Sequence, residues 1–326
     1  MKKPIKLFHI EDYVIDTRNF SHSLHDSMVT QFEEEFAKYV GAKYACSINS
    51  ATSAIFLIFL EKNVTVDVPS VIPPVVLNAI INGGNRINFV DNIDWVGDSY
   101  ILHNFESTPA QAKSCVWKNY KVIDSAQKVE KGQFKKEANP QDLMFFSFYP
   151  TKPVGGLDGG MIVSDDYDKI CYFKEAVLNG MGYAANNWER EIKFPGWKMY
   201  LSSFQAHVAY QNFKKLPDKM ARLAEIRDFY NKNLTLNNTS SHLYRITVKE
   251  NKKSLLKMKE KGITCGIHYE AMHLNGIYAD HWDVPIAYNC TKSSNAAATT
   301  LSIPFHEKLN NEELDHIVTN IKGEML

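Results

Sequence analysis

Apolar residues in the first two thirds of the chain recur with two periods, one typical of helices and one typical of strands. Helical spacing predicts a first helix over residues 28–40, which Gly41 ends, and buried helices over residues 54–60 and 75–81. Short apolar runs predict strands at residues 44–48, 64–68, 86–90, 121–124, 143–148 and 160–163. Because strands and helices alternate, the predicted fold class is α/β, with a mostly parallel central sheet that helices cover.

The pattern changes near residue 216, where a long amphipathic helix is predicted over residues 216–234. Beyond it, short strands alternate with helices, at residues 244–248, 254–261, 300–303 and 311–321. Asn310 and Glu313 have the spacing of a capping box, which marks the start of the last helix. We therefore expect a large domain over residues 1–215 and a smaller α+β domain over residues 216–326.

Composition and charge argue against several classes of partner and site. The 326 residues include 37 Lys+Arg and 37 Asp+Glu, so no net charge favours nucleic acid or an anionic membrane. The five cysteines lie far apart without a CxxC pair, which argues against a disulfide framework and a zinc or iron–sulfur site. His268 and His273 lack the HExxH spacing, so no metal site is expected. Because the sequence shows neither a signal peptide nor a membrane-spanning segment, a cytoplasmic location is expected.

Two polar groups at the ends of predicted strands have the chemistry of a ligand site. Residues 49–53, Asn-Ser-Ala-Thr-Ser, precede a buried helix, and its free backbone N–H groups with the hydroxyls of Ser50 and Thr52 make an anion site. An ordinary helix N-cap accounts for the same residues. Asp124 ends an apolar strand, where ligands bind in open α/β sheets, although a turn or N-cap aspartate has the same position.

A single lysine stands in the stretch FSFYPTKPVGGLDGG, residues 146–160. Lys152 lies between Pro150 and Pro153, after an apolar run and before four glycines. Partial desolvation would lower the pKa of its amine and make the amine available as a nucleophile. The stretch is not a nucleotide-binding P-loop, because the glycines of that motif precede the lysine. Taken alone, Lys152 is as compatible with a surface turn as with catalysis.

These three groups together fit one cofactor, pyridoxal phosphate. The cofactor needs an anion cradle for its phosphate, an acid at its pyridine nitrogen and a lysine for the Schiff base. Residues 49–53, Asp124 and Lys152 supply one of these groups each. The agreement of all three is harder to explain by chance than any single motif.

From about Gln31 to the C-terminus, the sequence resembles the fold-type I sugar aminotransferases of the DegT/DnrJ/EryC1/StrS family. The lysine segment FSFYPTKPVGGLDGGMIVSDD is the most specific match. The other matching segments are FEEEFAKYVGAKYACSINSATSAIFLIFL, VIDSAQ, GWKMYLSSFQAHVAY, GIHYEAMHL and LSIPFH, in the order of the family. The resemblance implies the fold of a type I pyridoxal-phosphate transferase and the activity of an aminotransferase.

The resemblance also implies roles for the cofactor residues. Lys152 would form the Schiff base, Asp124 would pair with the pyridine nitrogen, and Gln127 would contact the phenolic oxygen. The phosphate would be bound by residues of two segments, which are Ser50, Ala51, Thr52 and Ser147.

The same resemblance implies a shared site and a substrate. Lys198 matches a position from which this family reaches the phosphate of the neighbouring subunit, which implies a homodimer with shared active sites. His268 and Tyr269 would lie near the sugar. The implied reaction moves an amino group, with glutamate as the expected donor, to a nucleotide-linked keto-sugar. The segment NSATSA resembles the 4-amino sugar branch, which favours amination at C4.

Two departures from the family pattern bear on function. The segment PSVIPP places Pro73 where the family has an aromatic residue that stacks on the cofactor ring. The segment between Asp91 and Asp124 is shorter than in the family, and a helix and a strand are expected to be missing from it. These departures motivate an alternative, a cofactor-binding sensor or scaffold protein of the same fold without efficient turnover. Relatives that dehydrate sugars replace the lysine with histidine, so the presence of Lys152 disfavours dehydration.

Overall fold

A computed structural model of the chain describes residues 3–13, 15–22, 24–105, 119–182, 189–279 and 290–326. Cys115 and the rest of the segment 106–118 lie outside the described residues. The strands are β1 (Tyr44–Ile48), β2 (Thr65–Pro69), β3 (Arg86–Val90), β4 (Tyr100–Asn104), β5 (Lys121–Asp124), β6 (Leu143–Ser147), β7 (Gly160–Ser164), β8 (Tyr244–Thr247) and β9 (Thr300–Ile303).

The helices are α1 (Ser27–Val40), α2 (Ala51–Phe59), α3 (Pro74–Asn82), α4 (Gln133–Glu137), α5 (Tyr167–Ala176), α6 (Ser203–Lys214), α7 (Leu216–Leu234), α8 (Asn251–Glu260), α9 (Gly276–Ala279), α10 (Thr291–Thr299) and α11 (Asn311–Ile321). The helices and strands predicted above are present, with bounds that differ by no more than three residues. The capping box of Asn310 and Glu313 at the start of α11 is confirmed. Within the described ranges, no helix is both long and apolar enough to cross a membrane.

The central sheet is mixed rather than mostly parallel. Its five strands have the order β1-β7-β6-β5-β4, in which β5 and β6 are parallel and the other pairs are antiparallel. Strands β2 and β3 form a separate parallel pair, and β2 packs beside β4. The connection from β6 to β7 is a turn without a crossover helix, so β7 returns antiparallel to β6. The α/β fold class is confirmed, and only the expected strand direction changes.

The shortened segment after Asp91 contains a strand where one was expected to be missing. Strand β4 pairs antiparallel with β5, and the register places Tyr100 opposite Asp124. A direct antiparallel pair needs no crossover helix, unlike a parallel one, so a short segment is enough to add this strand. Tyr100 thereby becomes a neighbour of a predicted site residue.

Two cores cover the two faces of the sheet, and β6 shows how. Successive side chains of a strand point to opposite faces. Leu143 and Phe145 belong to the core that α2, α3 and α5 cover, whereas Met144 and Phe146 belong to the core under α1 and α6. Ser147, the last residue of β6, follows the alternation of Leu143 and Phe145 and ends the strand on the face of α2.

A third core forms around β8, β9, α8, α11 and most of α7. Leu216 at the start of α7 packs with α1, whereas Leu223 joins the third core. The N-terminal segment also joins it, because Ile5 N donates to Gly262 O at 2.8 Å and Thr264 N donates to Ile5 O at 2.9 Å. The division into domains at residues 215 and 216 stays a prediction.

Candidate active site

One cavity of about 440 Å³ opens at the carboxyl ends of β5 and β6, beside the start of α2. Nine of the ten predicted site residues line it, and they are Ser50, Ala51, Thr52, Asp124, Gln127, Ser147, Lys152, His268 and Tyr269. Lys198 does not line it. We call Lys152, Asp124 and the first turn of α2 the cofactor floor of this cavity.

A rigid turn holds Lys152 in place. Its backbone N–H donates to Tyr149 O at 2.8 Å, and Gly156 N donates to Phe148 O at 2.7 Å. Gly155 has a φ of +64°, and a Cβ added there would lie 2.9 Å from Pro150 O, so the turn requires glycine at this position. The residues around Lys152 thus fix its backbone in the turn.

Lys152 and Asp124 shift each other's protonation in a poorly hydrated site. Burial lowers the pKa of Lys152 to about 8, and the negative charge of Asp124 partly opposes that effect. Burial raises the pKa of Asp124 to about 6, against the effects of the Ala126 N–H, the Lys152 charge and the Tyr100 hydroxyl. The amine is therefore much easier to deprotonate than an exposed lysine, as a nucleophile or proton acceptor requires.

Asp124 is held by hydrogen bonds from its own loop and from β4. Ala126 N donates to Oδ1 at 2.9 Å, and the Tyr100 hydroxyl donates to Oδ2 at 3.3 Å. Burial and the Asp124 charge raise the pKa of Tyr100 well above its usual range, so this hydroxyl keeps its proton and remains a donor.

Gln127 connects the cofactor floor to the opposite side of the cavity. Its Oε1 accepts from Gly97 N at 2.7 Å, and its Nε2 donates to the Tyr269 hydroxyl at 3.1 Å. The Tyr269 ring stacks on Trp95 with a centroid distance of 6.2 Å and an interplanar angle of 8°, and Trp95 also contacts Tyr100 at 4.6 Å. We call Trp95, Tyr100 and Tyr269 the aromatic wall.

The segment that carries His268 and Tyr269 is tied to the start of the PSVIPP segment. Val71 pairs with Ala271 in an antiparallel bridge, and Met272 N donates to Ser70 O at 2.9 Å. The hydroxyl of the buried Ser70 also contacts Nδ1 of His273. These contacts hold the segment of residues 268–273 against the PSVIPP segment, and so position Tyr269.

The first turn of α2 has the chemistry predicted for a phosphate cradle. Ser50 is the N-cap, and its Oγ accepts from Ser53 N at 3.1 Å. The first N–H groups of a helix have no intrahelical acceptor, and the helix dipole favours an anion there. Ser147 faces the same cavity from the end of β6. The start of α2 and the end of β6 therefore meet where an anion would bind.

His268 is a neutral residue of the cavity. Its Nδ1 lies 2.9 Å from the Ser302 hydroxyl on β9. Burial lowers its pKa to about 4, with smaller contributions from the charges of Lys152 and Arg245. A neutral imidazole suits hydrogen bonding to an uncharged group such as a sugar hydroxyl.

Lys198 lies on the surface rather than in the cavity of its own chain. Its backbone pairs with Leu178, and the next residue, Met199, accepts a hydrogen bond from Asn49 N at 2.7 Å. The segment thus runs beside the start of the predicted phosphate cradle. Its role toward a neighbouring subunit stays a prediction.

Sequence reasoning missed several residues that face the cavity. Trp95 and His242 line it, and the buried His242 stacks on Phe8 at 5.6 Å, which also lines the cavity. Burial lowers the pKa of His242 well below its usual range. The available signal for Trp95 was an aromatic residue in the polar stretch DNIDWVGDSY. For Phe8 and His242, nothing in the local pattern indicated a position near Lys152.

A second cavity, of about 280 Å³, is lined in part by Pro150, Val154 and Gly155 of the turn that carries Lys152. Its side chains include His9, Glu11 and Glu307, whose ligand atoms lie within 4.8 Å of one another. Glu11 already pairs with Lys215 at 3.0 Å and with Lys308 at 3.5 Å. These ion pairs account for the charge of Glu11, and we assign no metal to the cluster.

Comparisons with known proteins agree with this geometry. The sequence profile of the DegT/DnrJ/EryC1/StrS aminotransferase family matches residues 10–96 and 110–322. The spore coat polysaccharide biosynthesis protein SpsC of Bacillus subtilis is 26% identical over 90% of this chain and 88% of that protein. The UDP-4-amino-4,6-dideoxy-N-acetyl-beta-L-altrosamine transaminase of Campylobacter jejuni is 27% identical over 86% of this chain and 85% of that protein.

Solved structures show the same fold. The putative sugar aminotransferase Spr1654 of Streptococcus pneumoniae, in its PLP form, superposes with a TM-score of 0.81 over 98% of both chains at 19% identity. Helicobacter pylori PseC superposes with a TM-score of 0.74 over 97% of this chain and 98% of that chain, also at 19% identity. The expected fold-type I architecture is therefore confirmed, and so are the enzyme class and the cofactor. The chain belongs to the DegT/DnrJ/EryC1/StrS aminotransferase family and is an aminotransferase that uses pyridoxal phosphate.

Proposed function

We propose that this enzyme transfers an amino group from glutamate to C4 of a nucleotide-linked keto-sugar, for the synthesis of a deoxyamino sugar of a surface glycan. The proposal depends on one observation, a cavity that contains the Lys152 amine, the Asp124 carboxyl and the first turn of α2. Two relatives support the substrate class. The C. jejuni protein is named as a UDP-sugar transaminase, and the B. subtilis protein is named for spore coat polysaccharide biosynthesis.

The residues of the cofactor floor fit pyridoxal phosphate. The first turn of α2, with the hydroxyls of Ser50, Thr52 and Ser147, suits a phosphate because a helix N-terminus attracts anions. When bound, the cofactor supplies a conjugated ring that takes up electrons from the substrate. Asp124, with a pKa of about 6, is largely ionised at neutral pH and can keep a proton on the ring nitrogen.

Lys152 serves first as the anchor of the cofactor and then as the proton carrier. With a pKa of about 8, its amine gains and loses a proton within the physiological range. The turn of residues 149–156 keeps that amine at one place in the cavity, which favours repeated transfer between the same two atoms. Asp124 raises the pKa of the amine, so the two floor residues set each other's protonation.

The keto-sugar binds between the cofactor floor and the residues His268 and Tyr269. Both side chains are neutral, because burial lowers the pKa of His268 and raises that of Tyr269. Neutral donors and acceptors suit the hydroxyls of a sugar better than fixed charges. The cavity of about 440 Å³ falls in the range of small-molecule sites, roughly 300–1,000 Å³.

The active unit is a homodimer in which Lys198 of one subunit contacts the cofactor phosphate of the other. Lys198 is exposed and lies outside the cavity of its own chain, which fits a contact across subunits. Mixed dimers test this role. When Lys152→Ala and Lys198→Ala proteins are mixed, activity should return in part, because one site of each mixed dimer has both lysines. If both lysines acted in the same site of one chain, mixing the two variants would restore no activity.

Borohydride reduction tests the cofactor attachment. Reduction of the purified enzyme should leave a pyridoxyl group on the peptide that contains Lys152, and Lys152→Arg should abolish the label. Lys43→Ala is the matched control, because Lys43 is an exposed lysine far from the cavity. A pyridoxyl label on another peptide would refute the assignment of Lys152.

A substrate screen tests the reaction. The enzyme with glutamate should aminate at least one keto-sugar that bears dTDP, UDP or GDP, with the product and its position identified by mass spectrometry and NMR. If glutamate leaves the cofactor spectrum unchanged while another amino acid converts it, the donor assignment is wrong. If no donor converts a cofactor that is bound at Lys152, the alternative of a sensor or scaffold replaces the proposed function.

A further inference from the structure

Trp95 is a residue of this cavity that the reaction described above does not use. It lines the cavity and is 5% exposed. Its indole Nε1 is buried and has no hydrogen-bond acceptor in the part of the chain that the structure describes. A buried N–H group without an acceptor costs free energy, so such a group in a ligand cavity points to a ligand that accepts from it.

The part of the cavity around Pro73 lacks the aromatic residue that the family pattern places there. Pro73 lines the cavity there, at the N-cap of α3, with Ile55, Val75 and Val76 as its lining neighbours. None of these side chains has an aromatic face that could stack on a flat cofactor. Trp95 and Tyr269 line the cavity beside Gln127, since Tyr269 accepts from Gln127 Nε2 and the backbone N–H of Gly97, two residues after Trp95, donates to Gln127 Oε1.

The surroundings of Trp95 fix its ring next to the cofactor partners. Tyr100 contacts the indole and donates to Asp124, whereas Tyr269 stacks on it and accepts from Gln127. The turn that follows Trp95 is also constrained, because Gly97 has a φ of +93° and its N–H donates to Gln127 Oε1 at 2.7 Å. The indole is therefore connected to both residues that are proposed to contact the cofactor ring.

We propose that Trp95 is a cofactor-binding residue, whose indole ring packs against bound pyridoxal phosphate and whose Nε1–H donates to it. The inference rests on the proposed function only in that the cofactor occupies the cavity of Lys152. It assigns to the segment 91–100 the aromatic contact that PSVIPP does not supply. The short β4 strand thereby contributes to the cofactor site, since it places Tyr100 against both Trp95 and Asp124.

Two substitutions separate the ring from the N–H group. Trp95→Phe keeps an aromatic ring and removes the donor, so the Kd of pyridoxal phosphate for the apoprotein should rise about 5-fold. Trp95→Leu removes both, and the Kd should rise about 10-fold to 100-fold. Thermal unfolding of the apoproteins shows whether each variant folds, and Trp95→Phe remains a valid test if Trp95→Leu does not fold.

Tryptophan fluorescence gives a readout that is independent of turnover. Bound pyridoxal phosphate absorbs where tryptophan emits, so a nearby indole is quenched when the cofactor binds. Trp95→Phe should lose a large part of the drop in emission that the wild type shows. Trp197→Phe is the comparison variant, because Trp197 packs against Phe56 and does not line the cavity, and it should lose less of that drop than Trp95→Phe.

Failure of this inference can be told apart from failure of the proposed function. If Trp95→Phe and Trp95→Leu bind pyridoxal phosphate with the wild-type Kd, retain the drop in emission and are labelled at Lys152 by borohydride, the inference is wrong and the proposed function stands. If they raise only the KM for the keto-sugar, Trp95 binds substrate and the inference is also wrong. If the wild type itself is not labelled at Lys152, the proposed function fails first.

Discussion

The two sides of the cavity differ in how the chain builds them. The cofactor floor consists of local pieces, since Lys152 lies in one turn, Asp124 ends one strand and the phosphate cradle begins one helix. The aromatic wall joins Trp95 and Tyr100 to Tyr269, which lies more than 150 residues further along the chain. Under the proposed function, the floor supplies the groups that the chemistry requires and the wall supplies groups that adjust binding. Substitutions in the floor should therefore have larger effects than substitutions in the wall.

The largest effect is expected at Asp124. Asp124→Asn removes the charge that would hold a proton on the ring nitrogen, and loss of one such preorganised group lowers kcat by about 100-fold to 1,000-fold. Steady-state kinetics with glutamate and the keto-sugar measure it. Asp67→Asn, at an exposed aspartate that accepts from Asn88, is the control and should stay within about 2-fold. A normal kcat in Asp124→Asn would contradict the role assigned to the Asp124 charge.

The turn of Lys152 should be the next most sensitive feature. Gly155→Ala forces an L side chain into a left-handed conformation with a Cβ 2.9 Å from Pro150 O, and should lower the free energy of unfolding by about 2 kcal/mol. Denaturant unfolding measures this change. Gly276→Ala is the matched control, because a Cβ there meets nothing within 4 Å and the backbone has no positive φ. Equal stability of the two variants would contradict the strain assigned to the turn.

The pH dependence of cofactor capture should report the environment of the floor. If the neutral amine of Lys152 captures the cofactor, as proposed, the capture rate of the apoprotein should rise with pH and level off above about 8. At pH 7 the rate should be about a tenth of that plateau. In Asp124→Asn the inflection should move to lower pH, because the Asp124 charge raises the pKa of Lys152. An inflection near the pKa of an exposed lysine, about 10.4, would contradict the desolvation of Lys152.

The smallest effect is expected in the aromatic wall. Tyr269→Phe keeps the ring that stacks on Trp95 and removes the hydroxyl that accepts from Gln127 Nε2 at 3.1 Å. Loss of one such hydrogen bond should lower kcat/KM for the keto-sugar by about 5-fold. Tyr44→Phe, at a partly exposed tyrosine outside the cavity, is the control. A loss as large as that in Asp124→Asn would mean that Tyr269 takes part in the chemistry.

The cofactor floor could be predicted because its signals are local. An N-cap turn, an aspartate at a strand end and a lysine between prolines each occupy a few consecutive residues. The α/β order put the ends of β5 and β6 at one edge of the sheet, and the structure brings Lys152 and Asp124 together there. The roles of these residues in catalysis stay predictions that the experiments above address.

The aromatic wall could not be predicted, because its contacts depend on strand direction and on packing between distant segments. Helices cover both faces of the central sheet, so its antiparallel strands β6 and β7 have the same continuous apolar runs as buried parallel strands. Strand β4 and its placement of Tyr100 were missed because the segment after Asp91 was expected to lack a strand. Likewise, the stacking of His242 on Phe8 joins residues from opposite ends of the sequence. The mixed strand directions of the central sheet could not be predicted for the same reason, since they depend on contacts between distant segments.

The pairing of Ile5 with Gly262 and Thr264 also determines the order in which the enzyme can be completed on the ribosome. Ile5 forms hydrogen bonds with residues that are synthesised more than 250 positions later. During translation, the five-stranded sheet can form before residues 262–264, which pair with Ile5, have been synthesised. Phe8 can pack beside His242 only after residue 242 has left the exit tunnel, so this part of the cavity forms late in synthesis.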